Sequence, residues 1–382
     1  MSPALDEYVL LGRTGLRVSR LALGAMTFGT EWGFGCDQAT AQRLFDTYLA
    51  AGGNFIDTAD VYTAGTSERW LGQFIRERAC RDRIVLATKF GFTAELGNPN
   101  AGGNQRKNIL RALEGSLQRL DTDYIDLYIL HVWDRLTPPE EVLRTLDDLI
   151  RAGRIRHYAL SDVPAWYATR MQTLAEARGL EPVAALQLEY SLAQRSIERE
   201  HLPAAQALGM GVMAWSPLAS GLLSGKYRAA GGAVSGRLTA GGLDATAALS
   251  ARHHDLLVAL GEVAEALDRP MAQVALNWLA NRPGVTSVIV GATRPEQLEA
   301  NLACLGFTLP EGLTARLEAA SRPASEFPQT LFSDPMQRLL TGNTTVSRRP
   351  SGHDASPRVE RGEHLALPFI AAQAAPRRPA GE

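Results

Sequence analysis

The chain of 382 residues contains only three cysteines, Cys36, Cys80 and Cys304, which are widely spaced and form no C-x-x-C pair. Such a set favours neither a disulfide framework nor a cysteine zinc site, and it suits a reducing compartment. No stretch approaches the roughly 18 apolar residues that a membrane span needs. The amino terminus also lacks the pattern of a signal peptide. The sequence therefore predicts a cytoplasmic protein with no membrane partner.

A surplus of charge of one sign is also missing. Lysine and arginine together number 39 against 41 acidic residues, so the formal net charge is -2. Proteins that follow a nucleic-acid backbone carry a basic surplus, so we expect no nucleic-acid partner. Lysine itself is scarce, because only Lys89, Lys107 and Lys226 occur among these cations. A lysine retained in so arginine-rich a chain is a candidate for a specific chemical role.

Two motifs for cofactors and metals do not occur. G-x-G-x-x-G, the phosphate-binding sequence of the dinucleotide fold, is absent. H-E-x-x-H is absent too, and His253 and His254 are adjacent, so they do not share a helix face. We therefore expect no metal site.

Eight short apolar runs recur along the chain and predict strands. Several are apolar almost throughout, as in a parallel sheet that is buried on both faces. Amphipathic helical patterns separate them, so an α/β protein with a (β/α)8 TIM barrel is predicted, and a doubly wound sheet is the alternative. The predicted strands span 20–24, 54–59, 84–89, 124–130, 155–161, 184–190, 211–216 and 287–292. The predicted helices span 39–51, 66–78, 106–119, 140–152, 164–178, 197–208, 271–281 and 295–303.

Three segments lie outside this alternation. Residues 8–19 predict an N-terminal β-hairpin ahead of the first barrel strand. The glycine-rich segment 229–244 predicts a mobile loop over a site. From residue 343 the composition shifts to arginine, proline, serine and glycine, which predicts a disordered C-terminal tail. We therefore expect a barrel domain over 1–342 and a tail over 343–382.

Polar side chains stand near the ends of three successive predicted strands. Asp57 lies within the second and Tyr62 follows it, Lys89 ends the third, and His131 follows the fourth. Side chains at the carboxyl ends of barrel strands converge on one rim, so we expect these four to share a pocket. Each alone has a simpler explanation, as a helix cap, loop aromatic, solvated strand end or core histidine. Together they are costly to bury without partners.

Such a quartet suits proton donation to a carbonyl oxygen. A tyrosine with an ordinary pKa of about 10 is a weak acid at neutral pH. We expect the Lys89 ammonium to lower the pKa of Tyr62, and Asp57 to keep that lysine charged and oriented. A neutral His131 would donate a hydrogen bond to the carbonyl oxygen. Because nothing in the quartet supplies electrons, a bound cofactor must do so.

The last predicted strand leads into a helix that suits a phosphate group. Thr293 and Glu296 form a T-x-x-E pattern that predicts a capping box, with Pro295 near the helix start. A helix amino terminus attracts anions, and Arg294 adds a forked cation that suits the 2′-phosphate of NADP. A plain capped surface helix is the alternative.

Trp215, which ends the seventh strand, is either a platform for an aromatic ring or a core residue.

Seven motifs resemble the successive signatures of the aldo-keto reductase superfamily, in the same order. Each motif is weakly specific alone, whereas seven in order are very specific. The resemblance spans roughly residues 8–335 and is strongest to a bacterial branch that also resembles potassium-channel β subunits. The motifs are LGAMTFG (23–29), GGNFIDTADVY (52–62), ATKFG (87–91), DYIDLYILH (123–131), Q-x-EYS (187–191), WSPLASGLLSGKY (215–227) and GATRPEQLEAN (291–301).

The resemblance implies a role for each matching residue. Tyr62 would donate the proton, Lys89 and Asp57 would lower its pKa, and His131 would orient the carbonyl. NADPH would be the cofactor. Its nicotinamide end would be held by Ser161, Asp162, Gln187 and Trp215, its pyrophosphate by Ser216 and Leu218, and its adenosine 2′-phosphate end by Thr293, Arg294, Gln297 and Asn301.

Two positions depart from the pattern of that superfamily. Asp162 stands where an asparagine is usual, and an ionised carboxylate accepts hydrogen bonds but does not donate them. It can still accept from a carboxamide NH2, so we expect cofactor binding to be retained with altered affinity. Ala300 stands where a glutamate is frequent, which removes one expected adenine contact and weakens the expected preference for NADP over NAD.

The expected function is NADPH-dependent reduction of aldehydes or ketones to alcohols, with a small-molecule carbonyl compound as the partner. The alternative is an NADPH-binding, redox-sensing regulatory protein with poor turnover. A barrel isomerase or aldolase with Lys89 as a Schiff base leaves Trp215 and Arg294 without a role. An aromatic substrate pocket is expected from Trp32, Phe34, Phe92, Trp133 and the segment 229–244, with loop anchoring as the alternative.

Overall fold

The computed structural model describes residues 5–226, 251–347 and 358–359, so the loop predicted over 229–244 lies outside the described residues. Two antiparallel strands come first, β1 (Tyr8–Leu10) and β2 (Arg17–Ser19). Eight barrel strands follow: β3 (Leu21–Gly24), β4 (Phe55–Asp57), β5 (Val85–Phe90), β6 (Ile125–Leu130), β7 (Ile155–Ser161), β8 (Ala185–Glu189), β9 (Gly211–Trp215) and β10 (Ser287–Val290).

The eight strands form a closed, all-parallel barrel. Each strand pairs with the next along the chain, and β10 pairs with β3 to close the circle. In that closing pair Val288 lies opposite Leu21 and Val290 opposite Leu23. The predicted barrel is therefore confirmed, the doubly wound sheet is excluded, and all eight strands lie within two residues of their predicted bounds.

The described residues form eleven α-helices. They are α1 (Gln38–Ala50), α2 (Thr66–Glu77), α3 (Arg106–Leu120), α4 (Pro139–Arg151), α5 (Ala165–Arg178), α6 (His201–Leu208), α7 (Ala251–Ala266), α8 (Met271–Ala280), α9 (Pro295–Leu302), α10 (Glu311–Ser321) and α11 (Asp334–Leu340). The predicted helix over 197–208 begins only at His201, after a 3-10 turn at Ser196–Glu198. Helices α7, α10 and α11 were not predicted.

The predicted hairpin lies at the amino-terminal end of the barrel. Leu11 and Val18 are fully buried in the cluster of side chains that fills the barrel interior. The turn fits closely, because a Cβ on Gly12 would lie 2.5 Å from the Ala184 carbonyl oxygen, and its φ of +58° is in the left-handed region. Glycine therefore lets the hairpin seat against the strands.

Two hydrophobic layers hold the fold together. The larger lies between the barrel and its helices and includes Phe45, Phe74, Tyr128 and Trp278, each buried. The smaller fills the barrel with side chains such as Phe55, as expected for a packed barrel interior. On the barrel strands its members alternate with residues that face the helices, as in Val85 and Ala87 or Leu127 and Ile129. This alternation also fixes the direction of the side chains at the strand ends.

The chain divides into two compact units, residues 1–322 and 323–382. The described part of the second unit contains α11 and an antiparallel pair, β11 (Val346–Ser347) with β12 (Arg358–Val359). This strand pair lies within the segment predicted to be disordered, and the rest of residues 343–382 lies outside the described residues. The boundary expected at 342 stays a prediction.

Candidate active site

The carboxyl-terminal end of the barrel interior carries one residue at the end of each strand or directly after it. Phe55, Val85, Ile129 and Ala159 face inward, and side chains two residues apart share a face, so the next inward positions follow from the same alternation. Six of these positions carry polar or aromatic side chains, and two carry glycine. They are Gly24, Asp57, Lys89, His131, Ser161, Gln187, Trp215 and Gly291.

The four residues predicted to act together are in contact. The Lys89 ammonium donates to Asp57 Oδ1 at 2.6 Å, to the Thr58 carbonyl at 2.7 Å and to the Tyr62 hydroxyl oxygen at 3.1 Å. The three donors of the ammonium are therefore all engaged, and the Lys89 side chain is 0% exposed. The Tyr62 and His131 rings meet edge to face, with centroids 5.7 Å apart.

Gln187 has a contact that sequence reasoning missed. Its Nε2 donates to Asp57 Oδ2 at 2.7 Å, so Lys89 and Gln187 hold opposite oxygens of one carboxylate. The inward alternation of β8 was the available signal, because it places Gln187 at the same height as Asp57. The Gln187 side-chain oxygen is left to accept a hydrogen bond from a ligand.

Opposing influences act on the Tyr62 hydroxyl. Burial raises its pKa, the Lys89 ammonium lowers it and the Asp57 carboxylate raises it, with a net direction upward. Lys89 therefore lowers the pKa of Tyr62 as predicted, but burial outweighs this effect and the net pKa is raised. For Lys89 itself burial acts downward, but Asp57 and Tyr62 outweigh it and raise the pKa. At neutral pH Tyr62 is protonated and Lys89 is charged.

His131 is neutral in this environment. Burial and then the nearby Lys89 charge lower its pKa to about 3. Its Nδ1 is buried and has no hydrogen-bond partner among the described residues. A neutral imidazole retains one N–H donor, so His131 can hold a carbonyl oxygen beside the Tyr62 hydroxyl.

Exposed aromatic side chains flank this pair. Trp32 packs edge to face on Tyr62 with centroids 6.1 Å apart, and Phe34 lies 5.9 Å from Trp32. Phe92 packs on His131 at 4.8 Å. Trp32 and Phe92 are 41% and 47% exposed, so part of each side chain is open to a ligand. Trp133 contacts different partners, the rings of Trp166 and Tyr167 at 5.5 and 6.1 Å.

A second group of ionisable residues, which sequence reasoning also missed, lies near Tyr62. Glu68 is fully buried and accepts from Thr88 and Arg119, each at 2.6 Å. Asp60 has a buried Oδ1 without a hydrogen-bond partner among the described residues. Burial and then the Glu68 charge raise the pKa of Asp60 to about 7, against the opposing pull of Arg119.

Ser161, Asp162 and Trp215 form a connected group beside the quartet. The Trp215 indole N–H donates to Asp162 Oδ1 at 3.1 Å, and the Ser161 hydroxyl donates to Asp162 Oδ2 at 3.3 Å. Asp162 has φ +48°, and its N–H donates to the Gln187 carbonyl at 3.3 Å. The exposed carboxylate is thereby oriented beside a half-buried indole.

The segment after β9 carries the residues expected at a pyrophosphate. Ser216 has φ +53°, and its hydroxyl oxygen accepts from the Ser220 N–H at 3.3 Å. Leu218 is half-buried and packs against the core. Three residues after Leu218, Gly221, has φ +96°, so the chain turns tightly here.

The predicted capping box before α9 is wrong. Arg294 is the cap residue and no side chain caps it, because Pro295 starts the helix one residue later than the T-x-x-E pattern requires. Instead Gln297 Oε1 accepts from the Thr293 N–H at 3.2 Å. Gln297 and Asn301 lie one turn apart on the same face. Arg294 is exposed and forms no ion pair with a described residue.

These residues fit a nicotinamide cofactor with a phosphate on its adenosine end. A nicotinamide ring needs a flat surface, which the Trp215 indole offers. Its carboxamide needs polar partners, which are the Ser161 hydroxyl, the Asp162 carboxylate and the Gln187 amide oxygen. Arg294 offers the forked cation for a phosphate. The arrangement suits hydride transfer to a carbonyl group with tyrosine as acid.

The described residues contain no group of three or more histidine, cysteine or acidic side chains placed to hold a metal ion. None of their helices combines the length and apolar character that crossing a membrane requires.

Fold and site together define a barrel oxidoreductase. The model of the aldo/keto reductase family matches residues 20–322, and the chain belongs to that family. It is 34% identical over 354 residues to the norsolorinic acid reductase of Aspergillus flavus, covering 90% of this chain and 89% of that protein. Its general reaction is NAD(P)H-dependent carbonyl reduction.

Two other relatives come from different groups of organisms. The uncharacterized oxidoreductase YrpG of Bacillus subtilis is 37% identical over 334 residues, covering 85% of this chain and 98% of that protein. A probable voltage-gated potassium channel subunit beta of Oryza sativa subsp. japonica is 36% identical over 304 residues, covering 78% of this chain and 91% of the subunit.

Proposed function

We propose that the protein is an NADPH-dependent reductase that converts a small aldehyde or ketone to its alcohol, with Tyr62 as the proton donor. The hydrogen bond of 3.1 Å from Lys89 to the Tyr62 hydroxyl oxygen carries this proposal. It occupies the oxygen from the protein side, so the Tyr62 O–H is free to donate to a carbonyl oxygen. Its three free, buried cysteines also support a role in the reducing cytoplasm.

Each residue of the quartet has a distinct part in this reaction. A bound nicotinamide cofactor supplies the hydride. Lys89 stabilises the negative charge that develops on the Tyr62 oxygen as its proton leaves, and Asp57 keeps the ammonium charged and in place. His131, held neutral by burial, donates a hydrogen bond to the carbonyl oxygen. The alcohol results when hydride has reached the carbon and the Tyr62 proton has reached the oxygen.

The proposed preference for the phosphorylated cofactor rests on the start of α9. Arg294 provides a cation without an ion-pair partner among the described residues, and Thr293, Gln297 and Asn301 provide polar groups nearby. Such a cation favours a 2′-phosphate over a 2′-hydroxyl. We expect Arg294→Ala to weaken binding of NADPH more than that of NADH.

The substitution Tyr62→Phe tests the proposed acid. It removes one oxygen, so turnover of an aldehyde and ketone panel should fall at least about 100-fold, while NADPH binding stays within about twofold. Tyr124→Phe is the matched control, because among the described residues that hydroxyl makes only a long contact of 3.4 Å, to Asp82. Undiminished turnover in Tyr62→Phe refutes the assignment.

The similarity to a probable channel subunit supports a second candidate, an NADPH-binding sensor that turns over poorly. Single-turnover oxidation of bound NADPH separates the two. Oxidation within seconds by at least one carbonyl compound supports the reductase. Oxidation over minutes or longer by every compound, with tight NADPH binding, supports the sensor.

A further inference from the structure

We propose that Asp162 makes the cofactor pocket favour the oxidised nicotinamide cofactor, whose ring is cationic, over the reduced cofactor, whose ring is neutral. The inference rests on the cofactor binding in the proposed function. It concerns the charge of this side chain and not its ability to hold a carboxamide, because the carboxamide is the same in both forms of the cofactor.

The Asp162 carboxylate is held in a fixed position against Trp215. Its Oδ1 accepts from the Trp215 indole N–H at 3.1 Å, and its Oδ2 accepts from the Ser161 hydroxyl at 3.3 Å. The donors come from two different strands, β9 and β7. Because both oxygens are engaged, the negative charge stays at the N–H edge of the indole instead of turning away into solvent.

Cations near this carboxylate are already engaged or neutral. Asp162 forms no ion pair with any described residue. The Lys89 ammonium donates to Asp57, Thr58 and Tyr62, and His131 is uncharged. His201 faces the Val163 carbonyl at 2.9 Å.

A second carboxylate lies close by and adds to the negative potential. Glu189 is opposite Trp215 in the pairing of β8 with β9. Burial and then the Asp162 charge raise the pKa of Glu189. Because Lys89 and Asp57 balance each other, Asp162 and Glu189 leave this part of the pocket with a surplus of negative charge.

Cofactor binding would change the surroundings of Asp162. The side chain is exposed in this structure, so water screens its charge. A ring seated against Trp215 replaces that water, and a charge removed from water is costly unless an opposite charge compensates it. A cationic ring compensates the carboxylate, whereas a neutral ring does not.

This difference also bears on the reaction. Binding of the oxidised form and of the reduced form are linked to hydride loss in one thermodynamic cycle. If the carboxylate tightens the oxidised form about tenfold relative to the reduced form, hydride loss on the protein becomes about tenfold more favourable. The hydride goes to the carbonyl carbon and the proton comes from Tyr62, so charge and atoms balance.

The substitution Asp162→Asn removes the charge. It retains an oxygen that can accept from the Trp215 indole N–H, and its NH2 can donate to the Ser161 hydroxyl oxygen. Calorimetric titration with NADP+ and NADPH gives the dissociation constant of each form. We expect the ratio of the NADPH to the NADP+ constant to fall about tenfold in Asp162→Asn. The matched control is Asp121→Asn at the end of α3, where the backbone is left-handed and asparagine fits well. There the ratio should not change.

The pH dependence of the ratio provides a second readout. Burial raises the pKa of Asp162, while the hydrogen bonds from Trp215 and Ser161 and the Lys89 and His201 charges lower it. Protonation at low pH removes the charge, so the wild-type ratio should rise with pH. A steep part of this rise should be missing in Asp162→Asn, and Glu189→Gln measured alongside separates the contribution of Glu189.

The outcomes separate this inference from the proposed function. If wild type binds neither NADP+ nor NADPH, both the proposed function and this inference are overturned. If wild type binds both forms and Asp162→Asn weakens them equally or leaves the ratio unchanged, Asp162 acts only through hydrogen bonds and the inference alone is overturned. A fall in the ratio for Asp162→Asn but not for Asp121→Asn supports it.

Discussion

Removing the Lys89 ammonium tests whether this one charge both stabilises the fold around Asp57 and makes Tyr62 reactive. Lys89→Met keeps most of the side-chain length but leaves Asp57 with Gln187 as its remaining hydrogen-bond donor. Both members of the pair are buried, at 0% and 4% exposure. Breaking a buried ion pair from one side costs about 3–5 kcal/mol, because the other charge stays buried.

A second substitution separates stability from reactivity. Asp57→Asn on top of Lys89→Met removes the stranded carboxylate, so we expect the double variant to recover about half of the lost free energy of unfolding. Turnover should not recover, because Tyr62 still lacks the cation that stabilises its deprotonated oxygen. We expect turnover about 100-fold or more below wild type in both variants.

Urea unfolding and single-turnover reduction of an aldehyde measure the two effects. Lys107→Met is the matched control, since Lys107 is exposed on α3 and should change neither quantity. Two results would refute the reasoning. One is a Lys89→Met variant as active as wild type, and the other is a double variant less stable than Lys89→Met.

Three further predictions concern pH and packing. Since the pKa of His131 is lowered to about 3, the unfolded state takes up a proton first and wild type loses stability as pH falls from about 6.5 to about 3. His131→Asn should flatten that loss in acid unfolding curves. The pKa of Asp60 is raised to about 7, so its favourable contribution is lost as pH rises from about 4 to about 7. Asp60→Asn should therefore raise the melting temperature more at about pH 8 than at about pH 5, and equal shifts would contradict this sign. Gly12→Ala should cost about 1–3 kcal/mol in urea unfolding. Gly15→Ala should cost under about 0.5 kcal/mol, because no atom of the described residues outside its chain neighbours lies within 4 Å of the added Cβ.

The strands and the quartet were predictable because they depend on short-range patterns. Inward alternation from Val85 through Ala87 reaches Lys89, and the same count from Phe55 reaches Asp57. Strand ends of a parallel barrel meet at one rim whatever the loops do. Contact among Asp57, Tyr62 and Lys89 therefore followed from the sequence.

Other features depend on side-chain direction or on how a loop enters an element. Trp133 follows a strand as His131 does, yet its ring packs against Trp166 because a loop residue has no fixed alternation. The capping pattern at Thr293 failed because the entry angle at Pro295 decides which residue caps. Helix α7 did have a signal, since Leu256, Leu260 and Val263 are buried at helical spacing.

Of the eight inward positions at the carboxyl-terminal end of the barrel, the two that carry glycine contribute no side chain. Gly24 ends β3, and Gly291 directly follows the neighbouring strand β10. Among the described residues, a Cβ on Gly291 would meet only the Gly24 carbonyl oxygen, at 3.8 Å. At Gly24 the Ile289 side chain fills the space, because a Cβ there would lie 2.8 Å from Ile289 Cγ2. At Gly291 the wall is backbone, and the chain beyond it leads into α9. The size of the residue at position 291 should therefore set the width of the pocket. Alanine would narrow the pocket slightly and valine would narrow it more, without altering any of the six polar or aromatic side chains. Position 291 is therefore the position to vary first when the pocket is to be adapted to smaller or larger ligands.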